Sequence, residues 1–129
     1  MNLKDYFEKI QGTGVLATAD TSGKVDVAIY SRPHILDDGT VAFIMRDRLT
    51  YNNLKSNSSA AYLFIEKSPG YKGKRLFLTK VREEKDTQLL KDLKRRCISS
   101  EDDMEKGAKF LVSFKIDKEL PLVGVRKEK

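Results

Sequence analysis

The chain has 129 residues and a formal net charge of +6, with 40% hydrophobic and 34% charged residues. That balance suits one globular domain, residues 1–129, with one core, and excludes a disordered or bilayer-spanning chain. The single cysteine, Cys97, excludes an internal disulfide and a cysteine-rich metal centre, and the single histidine, His34, lacks the partners of a zinc site.

The opening MNLKDYFEKI interleaves charges and has no apolar signal core, so it reads as the start of a cytoplasmic protein. Residues 2–10 read as a helix: Leu3, Phe7 and Ile10 share a stripe and Asn2 can cap the start. After Gly12 and Gly14, residues 13–20 alternate as a strand, with Val15, Ala17 and Ala19 on one face and Leu16 and Thr18 on the other. Asp20-Thr21-Ser22-Gly23 is a turn, and 24–31 a second strand that closes a hairpin. Within it Val25, Val27 and Ile29 oppose Asp26, Ala28 and Tyr30, and Asp26 reads as solvent-facing. Pro33 marks an edge or a bulge, His34 reads as a lone surface histidine, and Asp37-Asp38-Gly39 is a second tight turn.

Residues 40–45 form a third strand, and a short helix follows at about 48–57 with Leu54 and Tyr51 inward. A fourth strand, 59–66, sets Ala61, Leu63 and Ile65 against Tyr62 and Phe64. Ser68-Pro69-Gly70 breaks it, and 74–83 is the fifth. Residues 85–96 read as a helix with Cys97 on its apolar stripe, 101–107 as a short helix capped by Ser100, and 108–117 as a sixth strand. Six short alternating strands without βαβ repetition suit a small antiparallel barrel with helical plugs.

The charge is uneven. Residues 67–96 hold eleven Lys/Arg against four Asp/Glu, while residues 1–66 hold seven against eight and 97–129 seven against seven. A local positive field suits an anionic partner, and a solvated lysine-rich surface explains it equally well. In SPGYKGKRLFLTK, residues 68–80, Tyr71 lies among Lys72, Lys74 and Arg75, the interleaving used for single-stranded nucleic acid; a flexible basic hairpin is the plainer reading, and an arm reaching a partner subunit a third. The segment Met45 to Asn53, MRDRLTYNN, runs from a buried strand through two arginines to a helix start. Exposed N–H groups at such a start bind phosphate, Arg46 and Arg48 can grip its oxygens, and Thr50 can donate its hydroxyl. Thr50 as a plain cap and solvated arginines are the alternative.

Residues 14–66, from GVLATAD through SRPHILDDGTVAFIM to the N-L of Asn53-Leu54 and the strand AAYLFIE, resemble the pyridoxamine 5′-phosphate oxidase-like family of FMN-binding split barrels. YKGKRLFLTK at 71–80 and PLVG at 121–124 resemble a subgroup of it. The resemblance implies a mainly β fold, a six-stranded antiparallel split β-barrel with peripheral helices, and a homodimer with FMN at the interface. It implies that Ser31, Arg32 and Pro33 line the flavin and ribityl chain, that Ile44 and Met45 offer backbone contacts to the ring, and that Arg46, Arg48, Thr50 and Asn53 take the phosphate. The family's Ser-x-Lys-x-x-Asn-Leu helix start here reads Arg48, Leu49, Thr50, Tyr51, Asn52, Asn53, Leu54, with the lysine replaced by threonine. The chain also lacks the basic, aromatic C-terminal segment of the vitamin B6 oxidases. The implied function is an FMN-binding flavoprotein, a flavin-dependent oxidoreductase acting on a small-molecule redox partner or substrate, with no membrane partner. A cofactor-free or other-ligand-binding dimer is the alternative, and a nucleic-acid-binding barrel the weaker one.

Overall fold

The computed structural model describes residues 2–85 and 109–124. Helix α1 spans Leu3–Lys9, and the Asn2 side chain accepts the Asp5 amide at 2.8 Å, which makes Asn2 the expected cap. The strands are β1 (Gly12–Ala19), β2 (Val25–Ile29), β3 (His34–Ile35) and β4 (Val41–Arg46); helix α2 (Leu49–Ser56) follows, then β5 (Ser59–Glu66), β6 (Gly73–Lys85) and β7 (Lys109–Pro121). The expected helices at 85–96 and 101–107, with Ser100 and Cys97, fall outside the described residues, except that Lys85 ends β6.

The described strands number seven, one more than expected, in one antiparallel sheet of order β2-β1-β5-β6-β7-β4-β3. The extra strand is β3. It is two residues long, too short for any alternation to register, and pairs His34 with Ala42 and Ile35 with Val41. His34 is therefore buried, not a surface residue as the sequence suggested. The sheet does not close on itself: β2 and β3 are its two ends. Helix α2 packs against β1 and β2 on one side of the opening and β4 on the other, while α1 packs against β3. This is a split barrel, mainly β, with two peripheral helices among the described residues.

The core lies inside the curl. Phe7 and Tyr6 of α1, Leu16 of β1, Val41, Phe43 and Met45 of β4, Tyr51 and Leu54 of α2, Tyr62 and Phe64 of β5, Leu76 and Leu78 of β6, and Val112 and Phe114 of β7 form one cluster. Edge-to-face contacts join Phe7 to Phe64 at 5.3 Å and Phe43 to Phe114 at 5.9 Å. Strand β7 is buried on both faces from Leu111 to Phe114, since Leu111 packs with Ala42 on the reverse side. The turns behave as their residues demand: Asp20 and Asp38 accept backbone N–H groups of their own turns, and Gly23 and Gly39 have positive φ.

In β2 the apolar and polar positions are reversed relative to expectation. Val25, Val27 and Ile29 are 77%, 66% and 71% exposed, while Asp26, Ala28 and Tyr30 turn inward and are half-buried. Register carries the apolar stripe across the outer face, Ile29 beside Val15 beside Leu63, and Val27 beside Ala17 beside Ala61 and Phe77.

One close approach fixes the end of β2. The Tyr62 hydroxyl donates to the carbonyls of Tyr30 and Ser31 at 3.3 and 3.1 Å. It passes directly over Gly14, where a Cβ would lie 1.9 Å from the Tyr62 oxygen and 2.6 Å from the Tyr30 carbonyl oxygen. Both neighbours are held in place, Tyr62 by burial in the core and Tyr30 by its amide bond to the Gly14 carbonyl at 3.0 Å. Gly14→Ala is expected to destabilise the fold by about 2–4 kcal/mol, read from urea unfolding. Tyr62→Phe, which removes only the hydroxyl, is expected to lose about 1 kcal/mol.

Candidate functional site

The junction of β4 and α2 is open in two respects. First, β3 stops at His34, opposite Ala42. The Leu36 amide donates to the Thr40 carbonyl, so alternate residues of β4 (Thr40, Ala42, Ile44) direct their backbone groups towards β3. Ile44 lies beyond the end of β3, and its N–H and C=O meet no ladder partner among the described residues. Met45, one residue on, turns its backbone to β7 and its side chain into the core. Of the two residues implied to offer backbone contacts, only Ile44 faces the open edge.

Second, the start of α2 is uncapped. Its N-cap is Arg48, which makes no side-chain capping bond, and the first turn carries no acidic residue. The first main-chain bond back to the cap is from Asn52 to the Arg48 carbonyl at 2.9 Å. The amides of Leu49, Thr50 and Tyr51 meet no acceptor among the described residues. Such N–H groups, at the positive end of the helix dipole, attract an anion.

The side chains around that corner sort differently from the sequence expectation. Thr50 is buried, and its hydroxyl lies 3.4 Å from Asp26 Oδ2. Tyr30 reaches the same place: burial pushes its phenol up, opposed by a hydrogen bond with Thr50 and the charge of Arg48. Asn53 is buried, and its amide donates to Thr18 Oγ1 at 3.1 Å, tying α2 to β1. Asp47 is exposed and accepts from Asn52 at 2.9 Å. By alternation Arg46 leaves β4 on the face of Ala42 and Ile44, opposite to that of Met45. Arg48, Thr50, Tyr30 and Asp26 are thus brought together, with Tyr30 and Asp26 the residues that local spacing had not marked.

Ser31, Arg32 and Pro33 follow Tyr30 past the C-terminal end of β2. Ser31 is exposed, and its carbonyl accepts from Tyr62. Arg32 Nη1 donates to the carbonyls of Ile10 and Glu8 at 3.1 and 3.4 Å, placing a cation at the C-terminus of α1. Pro33 is buried. Arg32 also lines a cavity of about 410 Å³ with Thr13, Ile65, Glu66 and Lys67. Thr13 and Ile65 are register partners, so the cavity adjoins the apolar outer face. Its carboxylate is already engaged, since the Tyr6 hydroxyl donates to Glu66 at 2.5 Å.

No family model and no curated protein sequence matches the chain. Solved structures do. An FMN-binding protein from Syntrophomonas wolfei superposes with a TM-score of 0.77 at 22% identity, over 96% of this chain and 86% of that one. An F420 reductase gives 0.73 at 17% identity over 93% and 98%. The haem-storage protein HutZ of Vibrio cholerae gives 0.71 at 15% identity over 92% and 91%. The chain has the fold of the pyridoxamine 5′-phosphate oxidase-like split barrels. Its split barrel is thus similar to proteins that differ in the ligand they are named for. No helix among the described residues is long and apolar enough to cross a membrane, and no cluster of metal-ligating side chains occurs among them.

The Asn53–Thr18 bond is internal, so its loss should register as stability. Thr18→Val strands the buried Asn53 amide and is expected to cost about 1–3 kcal/mol. A double-mutant cycle with Asn53→Leu is expected to give a coupling above about 0.5 kcal/mol in urea unfolding.

Proposed function

We propose that the chain binds FMN at the β4–α2 junction as a homodimer and serves as a flavin-dependent oxidoreductase. The observation that carries this reading is the pairing of an open backbone edge at Ile44 with an uncapped helix start four residues later, at Arg48. A flavin ring edge presents donors and acceptors that suit a strand edge, and a phosphate suits the amides of Leu49, Thr50 and Tyr51 with Arg48 beside them. Ser31, Arg32 and Pro33 would border the ribityl side. Bound flavin would supply the electron and hydride chemistry, and the protein residues would bind and orient it.

Dimerisation rests on the outer face. The row of Val25, Val27 and Ile29, continued by Val15, Leu63 and Phe77, is an apolar surface whose burial against a second copy is strongly favourable. The cavity beside Arg32 adjoins that face, so a second copy would cover it.

One observation supports a second reading, a split barrel for a different ligand. Asn53 is spent on Thr18 and Thr50 faces Asp26, so two of the four expected phosphate donors are turned inward.

Fluorescence titration separates the readings: added FMN is expected to be quenched on binding, and Arg48→Ala with Thr50→Ala is expected to weaken it about tenfold with the fold intact. Unquenched flavin at high protein concentration would reject FMN. Light scattering is expected to give a dimer mass for the wild type and a monomer mass for Val27→Glu.

A further inference from the structure

We propose that the cavity at the end of the β1–β5 ladder binds a small organic acid, a carboxylate carried on a short apolar body. The site does not depend on flavin binding, because no residue of the β4–α2 junction lines it.

Register sorts the side chains that line the cavity. Thr13 and Ile65 are partners and share the outer face of the sheet. The Lys67 amide donates to the Gln11 carbonyl at 2.8 Å, so Gln11 and Lys67 extend the ladder and by alternation fall on that same face. Gly12 and Glu66 lie between these two pairs and point to the other face, where the Tyr6 hydroxyl donates to Glu66 Oε2 at 2.5 Å. Arg32 closes the wall, held by the Ile10 and Glu8 carbonyls. The cavity holds about 410 Å³, ample for a molecule of a few carbon atoms.

The outer-face side chains set the chemistry. The Gln11 amide and the Thr13 hydroxyl are hydrogen-bond donors, and the Lys67 ammonium is a cation with three donor protons. None of these three side chains engages a partner among the described residues. A carboxylate supplies both the acceptors and the opposite charge that such a trio calls for. Ile65, 39% exposed, stands at the fourth corner, with Leu63 and Val15 beyond it on the same face. An alkyl or aryl body laid there loses its contact with water. Glu66, the acidic residue of the lining, is turned to the other face and engaged by Tyr6, so the acid end of a ligand meets Lys67 instead.

The experiment titrates hexanoate, hexanamide and acetate into the isotope-labelled full chain without flavin, read by backbone amide chemical shifts. Hexanoate is expected to give saturable shifts at the Thr13, Ile65 and Lys67 amides. It is expected to bind about fivefold more tightly than hexanamide, which lacks the charge, and about tenfold more tightly than acetate, which lacks the apolar body. Lys67→Gln, a change at an exposed residue, is expected to abolish the preference for hexanoate over hexanamide while the rest of the spectrum is unchanged. The wild-type comparison needs no variant to fold. Equal affinity for hexanoate and hexanamide, shifts confined to residues outside the cavity, a preference that survives Lys67→Gln, or no saturable shift with hexanoate would each overturn the proposal.

Discussion

The arrangement of the C-terminal end of β2 depends on the passage of the Tyr62 hydroxyl over Gly14. That hydroxyl holds the carbonyls of Tyr30 and Ser31, and so fixes where β2 stops and where the chain turns towards Arg32. Tyr30 in turn packs edge-to-face on Phe43 at 5.9 Å and carries its phenol to Thr50. Arg32, one residue past the tether, fastens the end of α1. A side chain at position 14 would drive Tyr62 of β5 away from these contacts. One glycine thereby links the core aromatic cluster to the positions on either side of the candidate site.

Much of the architecture was legible because the chain alternates cleanly where two faces have different surroundings. Tyr62 and Phe64 against Leu63 and Ile65, or Val112 and Phe114 against Ser113 and Lys115, gave strands whose inward residues are the ones found in the core. The helix start at Asn2 and the turn at Asp38-Gly39 rest on local hydrogen bonds, and local sequence encodes them. β3 was invisible because two residues have no period, and its burial of His34 depends on a partner strand across a turn.

The site was less legible, for a different reason. Its contacts join residues far apart in the chain. Asn53 looks like a phosphate donor until Thr18, 35 residues earlier, takes its amide. Asp26 looks solvent-facing by its charge, yet the inward face of β2 at that point meets the Thr50 hydroxyl of α2. The valines and isoleucine opposite it are left outside as a result. What local spacing did convey was the junction itself, a strand running into an arginine-flanked helix start. Which donors it would retain was settled by residues from β1 and β2.

The brevity of β3 has a consequence for how this protein can vary. A rung of the sheet left vacant at Ile44 would read the proposed ligand through main-chain atoms, which every amino acid supplies. Mutation at that position alters bulk and polarity nearby but leaves the donor and acceptor where they were. Recognition of this kind exerts little selection on residue identity, so lineages sharing the site can drift far apart in sequence while the geometry of the gap persists.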